Sequence, residues 1–287
     1  MKIAVIGATG LLGQPVTKEL IKAGFEVTIV ARTPAKAQDL FPQIPVIEGD
    51  VKDIKSLKKA FSGQDAIYLN LSIEQTEKPS DFHTETDGMR NIIAAAQQMG
   101  IKRIAYLSSI VMRYQGMNGF RWWVFDIKHK AVNLLKESGI PCTVFYPSTF
   151  MESFYLQKQG SKIGTVGKSP QKMWFIAAED YGKQVAKSFE LLKNGESKQY
   201  VIQGTEGLTA NEAAQRFVDN YSKEKLSTMN LPLFVLKIMG VFNQRMNYLA
   251  HICEALNKYP EKLVAEKTWD ELGKPIISIA EFAQKST

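Results

Sequence analysis

The stretch Lys2-Ile3-Ala4-Val5-Ile6-Gly7-Ala8-Thr9-Gly10-Leu11-Leu12-Gly13 decides the fold. Its opening residues form a short apolar run without alternation, which suits a strand covered on both faces. Glycines then recur at every third position, and Leu12, Val16, Leu20 and Ala23 continue at helical spacing. In such a strand–loop–helix unit each glycine has its own duty. Gly7 permits the tight turn, Gly10 lets a phosphate approach the backbone, and Gly13 lets helix pack closely on strand. The head of the helix offers free amides and a partial positive charge. The expected ligand is a dinucleotide, its pyrophosphate held by Gly7, Thr9, Gly10, Leu11, Leu12 and Gly13.

Outward from this unit the pattern repeats. Apolar runs over 26–31, 45–48, 66–70, 103–107 and 142–146 read as further covered strands. Met89, Ile92, Ile93, Ala96 and Met99 mark a second helical stripe. Gly24 and Gly100 follow the last periodic residue of each stripe, where a left-handed cap belongs. Strand–helix repetition implies a parallel sheet with right-handed crossovers, a doubly wound α/β (Rossmann) domain over 1–150. After Pro147 the rhythm changes. Residues 160–172 read as loop or short hairpin, 180–192 as helix, 199–203 as strand. A capping box of Thr209 and Glu212 opens another helix, with further helical stretches around 233–237 and 244–259. The expected second part is a smaller, mostly helical C-terminal substrate lobe over 151–287, with 179–204 lending a helix and a strand to the first domain.

The residues after the second strand choose between cofactors. A binder of NAD places Asp or Glu there to hold the ribose hydroxyls. This chain has Arg32 and Thr33 with Lys36 close behind, and no carboxylate. A guanidinium grips a 2′-phosphate in a bidentate manner, so NADP(H) is expected in preference to NAD(H). Asp50 and Val51, after the third strand, suit an adenine amine and ring. Asn70, Leu71 and Ser72 lie where the cofactor would pass after the fourth. Turn chemistry explains Asp50 and Asn70 equally well.

Composition is that of an ordinary globular chain: 287 residues, 45% hydrophobic and 23% charged. The formal net charge of +7 is spread along the sequence rather than blocked. It suits an anionic ligand, and no motif for direct nucleic-acid binding accompanies it. Cys142 and Cys253 are the only cysteines, so neither a disulfide framework nor a metal site is expected. No signal peptide precedes the first strand and no apolar run is long enough to span a bilayer, so a cytoplasmic protein without a membrane partner is expected.

Gly7 to Gly13, Arg32, Gly49-Asp50, Leu107-Ser108-Ser109 and Lys128 together resemble the atypical short-chain dehydrogenase/reductases, in particular the NmrA-like family. The stretches 138–143, Tyr146-Pro147 and Phe150-Met151-Glu152 look like that family's segment after the active-site helix, and Asp180 matches its helix-opening acid. The resemblance implies an NADP(H)-binding fold, with Tyr146 and Pro147 beside the cofactor. It also implies either a reductase of quinones, enones or aromatic compounds, or a non-catalytic sensor of the cofactor's redox state. A nucleotide-sugar epimerase is a further alternative, from related extended folds. The relatives' catalytic pattern is Ser, then Tyr and Lys separated by three residues. Lys128 matches the lysine, Ser109 is the candidate serine, and Val124 stands at the tyrosine's position. A phenol is the usual proton donor to a carbonyl, so Val124 puts ordinary alcohol–ketone chemistry in doubt.

Lys128 also stands out by itself. With Phe125, Val132 and Leu135 it lies on one helical face, and a lysine in an apolar stripe must snorkel or find a partner. A ribose hydroxyl or the nicotinamide end of the cofactor would be such a partner. Aromatic residues cluster around this helix and after the sixth strand; Tyr114, Trp123, Phe150 and Phe154 are candidates to line an apolar substrate pocket, with ordinary core as the competing reading. His83 is expected near a helix start on the surface, and His129 is assigned no role. The apolar stretch 229–242 either closes over the pocket or makes a subunit contact. The expectation is thus an NADPH-dependent oxidoreductase acting on a small apolar or aromatic molecule, as a monomer or homodimer.

Overall fold

The computed structural model describes residues 1–191 and 195–286. The first half supplies β1 (Lys2–Ile6), β2 (Glu26–Ala31), β3 (Val46–Glu48), β4 (Ala66–Leu69), β5 (Arg103–Leu107) and β6 (Cys142–Pro147). The second supplies β7 (Lys158–Gln159), β8 (Lys162–Val166), β9 (Met173–Trp174), β10 (Lys198–Ile202), β11 (Gly207–Leu208) and β12 (Ser227–Leu231). A seven-stranded sheet runs in the order β10-β6-β5-β4-β1-β2-β3, every pairing parallel. The strand order reverses beside β1, and the crevice at such a reversal is where open α/β sheets bind their ligands.

The helices are α1 (Gly13–Lys22), α2 (Pro34–Leu40), α3 (Ile54–Phe61), α4 (Met89–Gln98), α5 (Trp123–Glu137) and α6 (Ser153–Gln157). They continue as α7 (Ala178–Leu191), α8 (Ala210–Asn220), α9 (Leu233–Phe242), α10 (Gln244–Lys258), α11 (Glu266–Leu272) and α12 (Ile279–Lys285). One face of the sheet is covered by α3, α4 and α5 through Leu57, Ile92, Ala96, Phe125 and Leu135. The other is covered by α1, α2, α7 and α11 through Val16, Leu20, Ala37, Val185 and Leu272. Apolar cover on both sides is why the strands read as unbroken hydrophobic runs. Gly24 and Gly100 adopt φ of 82° and 70°, the left-handed turns expected where α1 and α4 end.

The second half has a core of its own, built from Phe154, Phe175, Phe217, Ile163 and Phe282. Residues 160–172 contain the short hairpin that was one of two expectations, β7 to β8, turning at Gly160. Strand β12 pairs in parallel with β8 and was not legible, because it is short, largely exposed and opens with two polar residues. The capping box of Thr209 and Glu212 forms and opens α8. Helix α7 starts earlier than the expected 180, and Leu192, its expected end, lies outside the described residues. Glu152 accepts from the amide of Ala178 at 2.9 Å, at the start of α7. Asp180 instead accepts from the amides of Ile276 and Ile277 at 2.9 and 2.8 Å, tying the C-terminal segment to α7.

Burial pushes the carboxyl groups of Glu152 and Glu261 up to about 7, against hydrogen bonds that favour ionisation. Each therefore holds its proton more tightly folded than unfolded. Their contribution to stability is full below about pH 4.5 and is lost as pH rises through about 7. Unfolding free energy is expected to fall between pH 5 and pH 8 by on the order of 3 kcal/mol per group. Glu152→Gln should remove its share of that fall, read by urea unfolding at both pH values. An unchanged pH slope would refute the assignment.

Candidate functional site

Loops leave the sheet side by side at the carboxyl ends of β1, β2, β4, β5 and β6. Ile6 is in register with Val30 and with Leu69, and Leu107 with Phe145. The glycine loop sits in the middle of this edge. Gly7 has φ of 86°, and a Cβ there would lie 2.2 Å from the carbonyl oxygen of Asn70. A Cβ on Gly13 would lie 1.9 Å from the oxygen of Gly7. Both glycines are demanded by the protein's own packing. Gly10 is different: the nearest atom to its Cβ position is the Gly7 oxygen, at 3.4 Å. Nothing among the described residues requires a glycine there, so the open space in front of it fits a ligand's pyrophosphate. Leu12 at the N-cap of α1 provides no side-chain cap, and the first turn carries no acid. The head of the helix is therefore left to an anion.

Gly10→Ala separates these duties. It should leave stability within about 1 kcal/mol of the parent and lower dinucleotide affinity roughly tenfold or more, the cost of overpacking a close contact. Fluorescence titration and urea unfolding read the two effects; an unchanged affinity would contradict the placement.

Arg32, Thr33 and Lys36 are exposed beyond β2 and at the start of α2, whose first turn has no acid. No ion pair or hydrogen bond among the described residues engages the Arg32 side chain. Asp50 realises the turn chemistry: its Oδ1 accepts from the amide of Lys52 at 2.9 Å. Val51 packs against Gly88, and Leu71 is buried. Asn70 extends the ladder with its amide on Ile6 at 3.0 Å, and Ser72 is exposed. Tyr146 is nearly buried and donates its hydroxyl to Gln199 at 3.0 Å, while Pro147 ends β6 at the same edge.

Lys128 has a partner that sequence reasoning missed. Its Nζ lies 2.8 and 3.1 Å from the two carboxylate oxygens of Glu85, whose side chain is 0% exposed. Tyr106, on β5, donates its hydroxyl to the same carboxylate at 2.7 Å. Burial and the adjacent Glu85 carboxylate hold the Tyr106 phenol well above its ordinary range, so it stays protonated. Glu85 is turned inward by a π-helical turn, Thr84–Gly88, in which the amides of Thr86, Asp87 and Gly88 all converge on the carbonyl of His83. An acid just before an apolar stripe looks like a solvated first-turn residue, and the widened turn reverses its direction. The only available clue was the lysine's own need for a partner.

His83 does open the turn, as expected, but it is buried rather than on the surface. Its ring lies 2.6 Å from Glu77 Oε2 and 3.3 Å from the carbonyl of Pro79, and packs 5.0 Å from the Trp123 ring. The folded-back loop before α4, which the chain's polarity concealed, encloses it. Val124 is buried in the core, so the position of the relatives' tyrosine is filled by packing. Ser109 is half-buried beyond β5 and makes no side-chain cap.

The four aromatic candidates divide. Trp123 and Phe150 are half-buried, with Phe150 packed 5.4 Å from Tyr181. Tyr114 is fully buried against Phe120, and Phe154 is stacked between Phe175 and Phe217 in the second core. These last two are core residues rather than pocket lining, because short helical turns direct their rings inward. A groove of about 410 Å³ opens instead between α1 and residues of the second half of the chain, lined by Leu11, Gln14, Glu152, Ala177 and Phe282 among others.

Known proteins bear on this geometry. Quinone oxidoreductase 2 of Escherichia coli (strain K12) is 27% identical over 230 residues, covering 77% of this chain and 75% of its own. A Streptomyces griseus subsp. griseus enzyme, (4-alkanoyl-5-oxo-2,5-dihydrofuran-3-yl)methyl phosphate reductase, is 28% identical over 212 residues, covering 73% and 70%. Among solved structures, the E. coli NADPH-dependent quinone oxidoreductase complexed with NADPH superposes with a TM-score of 0.77 at 25% identity, covering 98% of each chain. The Citrobacter sp. triphenylmethane reductase complexed with NADP(H) reaches 0.77 at 20% identity, covering 100% of each, and shares the fold. The family model for NmrA-like proteins matches residues 1–282. From the glycine loop to the last helix, this chain belongs to the NmrA-like family.

Proposed function

We propose that this protein is an NADPH-dependent oxidoreductase that reduces a small apolar acceptor such as a quinone or an enone. The observation that carries the proposal is the gap in front of Gly10, an opening that the protein's own packing does not need. Arg32, with Thr33 and Lys36, takes the adenosine 2′-phosphate and sets the preference over NADH. Asp50 and Val51 meet the adenine, and Asn70, Leu71, Ser72 and Pro147 border the path to the nicotinamide. Similarity to a quinone oxidoreductase and to a reductase of an unsaturated lactone supports the reaction class.

Lys128 spends two contacts on Glu85. An ammonium has three protons, so one remains for a ribose hydroxyl. Lys128 is thus a point of attachment whose position Glu85 fixes. The bound cofactor supplies a hydride. Ser109, whose hydroxyl caps nothing, orients the acceptor's carbonyl oxygen. Val124 has no proton to give, and the hydroxyl of Tyr106 is turned onto Glu85 inside the core. The acceptor oxygen therefore takes its proton from water at the open sheet edge. Trp123 and Phe150 flank the acceptor's apolar body. Stopped-flow oxidation of bound NADPH by a panel of quinones and enones tests this reading. Tight NADPH binding without oxidation above solvent background would replace it with a non-catalytic cofactor sensor.

A further inference from the structure

Phe234, Ile238, Met239, Val241 and Phe242 of α9 are 64%, 60%, 46%, 76% and 89% exposed. Positions 234, 238, 241 and 242 lie on one helical face. So large a run of exposed apolar side chains marks an interaction surface. The face is fixed outward by packing. Leu236 and Gly240 seat the opposite side on α10, and a Cβ on Gly240 would come within 2.9 Å of the Cα of Asn247. Asn243 caps α10 through the amides of Arg245 and Met246, making a rigid corner. Helix α10 is in turn anchored by Trp122 against Tyr248 and His251. Rotating the stripe inward would break all of these contacts.

The charge pattern says what covers it. Between Glu224 and Glu254 the chain has no carboxylate, whereas Lys225, Lys237 and Arg245 fall inside this segment. Lys237 shares Glu254 with Lys258, and Arg245 takes part in no ion pair among the described residues, whereas Lys225 stands at the other end of β12 from α9. A second copy seated on the same face would oppose like charges, and the whole chain carries +7. An anionic lipid surface complements both the charge and the apolar stripe.

We propose that α9 is an adsorption surface for bilayers containing anionic phospholipid, lying in the headgroup plane with its exposed face inserted. No helix among the described residues is long and apolar enough to cross a membrane. The expectation of no membrane partner rested on the lack of such a span, and adsorption needs none. The proposal does not rest on the identity of the cofactor or acceptor.

Co-sedimentation of the full chain with vesicles tests it, using phosphatidylcholine alone and phosphatidylcholine mixed with phosphatidylglycerol. The chain is expected to sediment with the mixed vesicles, and less so as salt rises. The double variant Ile238→Ser/Phe242→Ser should partition roughly tenfold less or weaker still, because it removes the inserted apolar area. Arg245→Glu should weaken binding several-fold and reduce the salt dependence. Circular dichroism melting confirms that each variant folds; should the double variant fail to, the Arg245→Glu and salt measurements still decide. Retention in the supernatant with both vesicle types would overturn the proposal, as would binding indifferent to phosphatidylglycerol and salt. So would light scattering that finds a dimer which the double variant splits, since that assigns the face to self-association.

Discussion

Glu85→Ala is expected to destabilise the protein by about 3–5 kcal/mol, the cost of stripping one partner from a buried ion pair. The substitution leaves the Lys128 ammonium without its two carboxylate contacts and orphans the Tyr106 hydroxyl at the same time. An orphaned buried hydroxyl by itself costs about 1–3 kcal/mol. Glu85→Gln separates the contributions, since the amide oxygen still accepts from one donor while the charge is gone. In a double-mutant cycle, Lys128→Met placed on Glu85→Ala should cost less than on the parent, because the pair is already broken. A coupling of about 1 kcal/mol or more is expected from urea unfolding. A loss below about 1 kcal/mol for Glu85→Ala would mean that neither Lys128 nor the Tyr106 hydroxyl depends on this carboxylate for stability.

The second large effect concerns ligand choice. Arg32→Glu is expected to weaken NADPH binding about a hundredfold or more while leaving NADH within a few-fold of the parent. Hydrogen bonds to charged groups contribute about 1.5–3 kcal/mol each, and a guanidinium makes two to a phosphate. The replacement also sets a carboxylate against that phosphate. The effect is clean because Arg32 is exposed and engages nothing else among the described residues, so the fold should not notice its loss. Calorimetry with both cofactors reads the ratio. An unaltered ratio would show that the 2′-phosphate is gripped elsewhere or not at all.

The two predictions mark the line between what was legible and what was not. The phosphate loop, the parallel sheet and the cationic residues after β2 depend on short-range rules. A glycine is needed where a Cβ would strike a carbonyl, and covered strands cannot alternate. A carboxylate does not face a phosphate. Most of those rules act within a few residues, as where a Cβ on Gly13 would meet the Gly7 carbonyl, although the Gly7 clash is with distant Asn70; β1, β2, β5 and the ends of α1 and α4 therefore follow from the order of amino acids. The same holds for the capping box at Thr209, whose two hydrogen bonds span a single turn.

Contacts between distant segments obey no such rule. The sequence by itself required that Lys128 find a partner, but tertiary structure supplied Glu85 as that partner. That choice depends on a π-helical turn bringing together residues 43 apart. Aromatic residues such as Tyr114 and Phe154 were ambiguous for a related reason. A large apolar ring gains as much from a core as from a pocket, and only the direction in which its short helix sends it decides. The outward face of α9 is the converse case. Its hydrophobicity was plain in the sequence, yet only the close seating of Gly240 on α10 settled which side is left to the solvent.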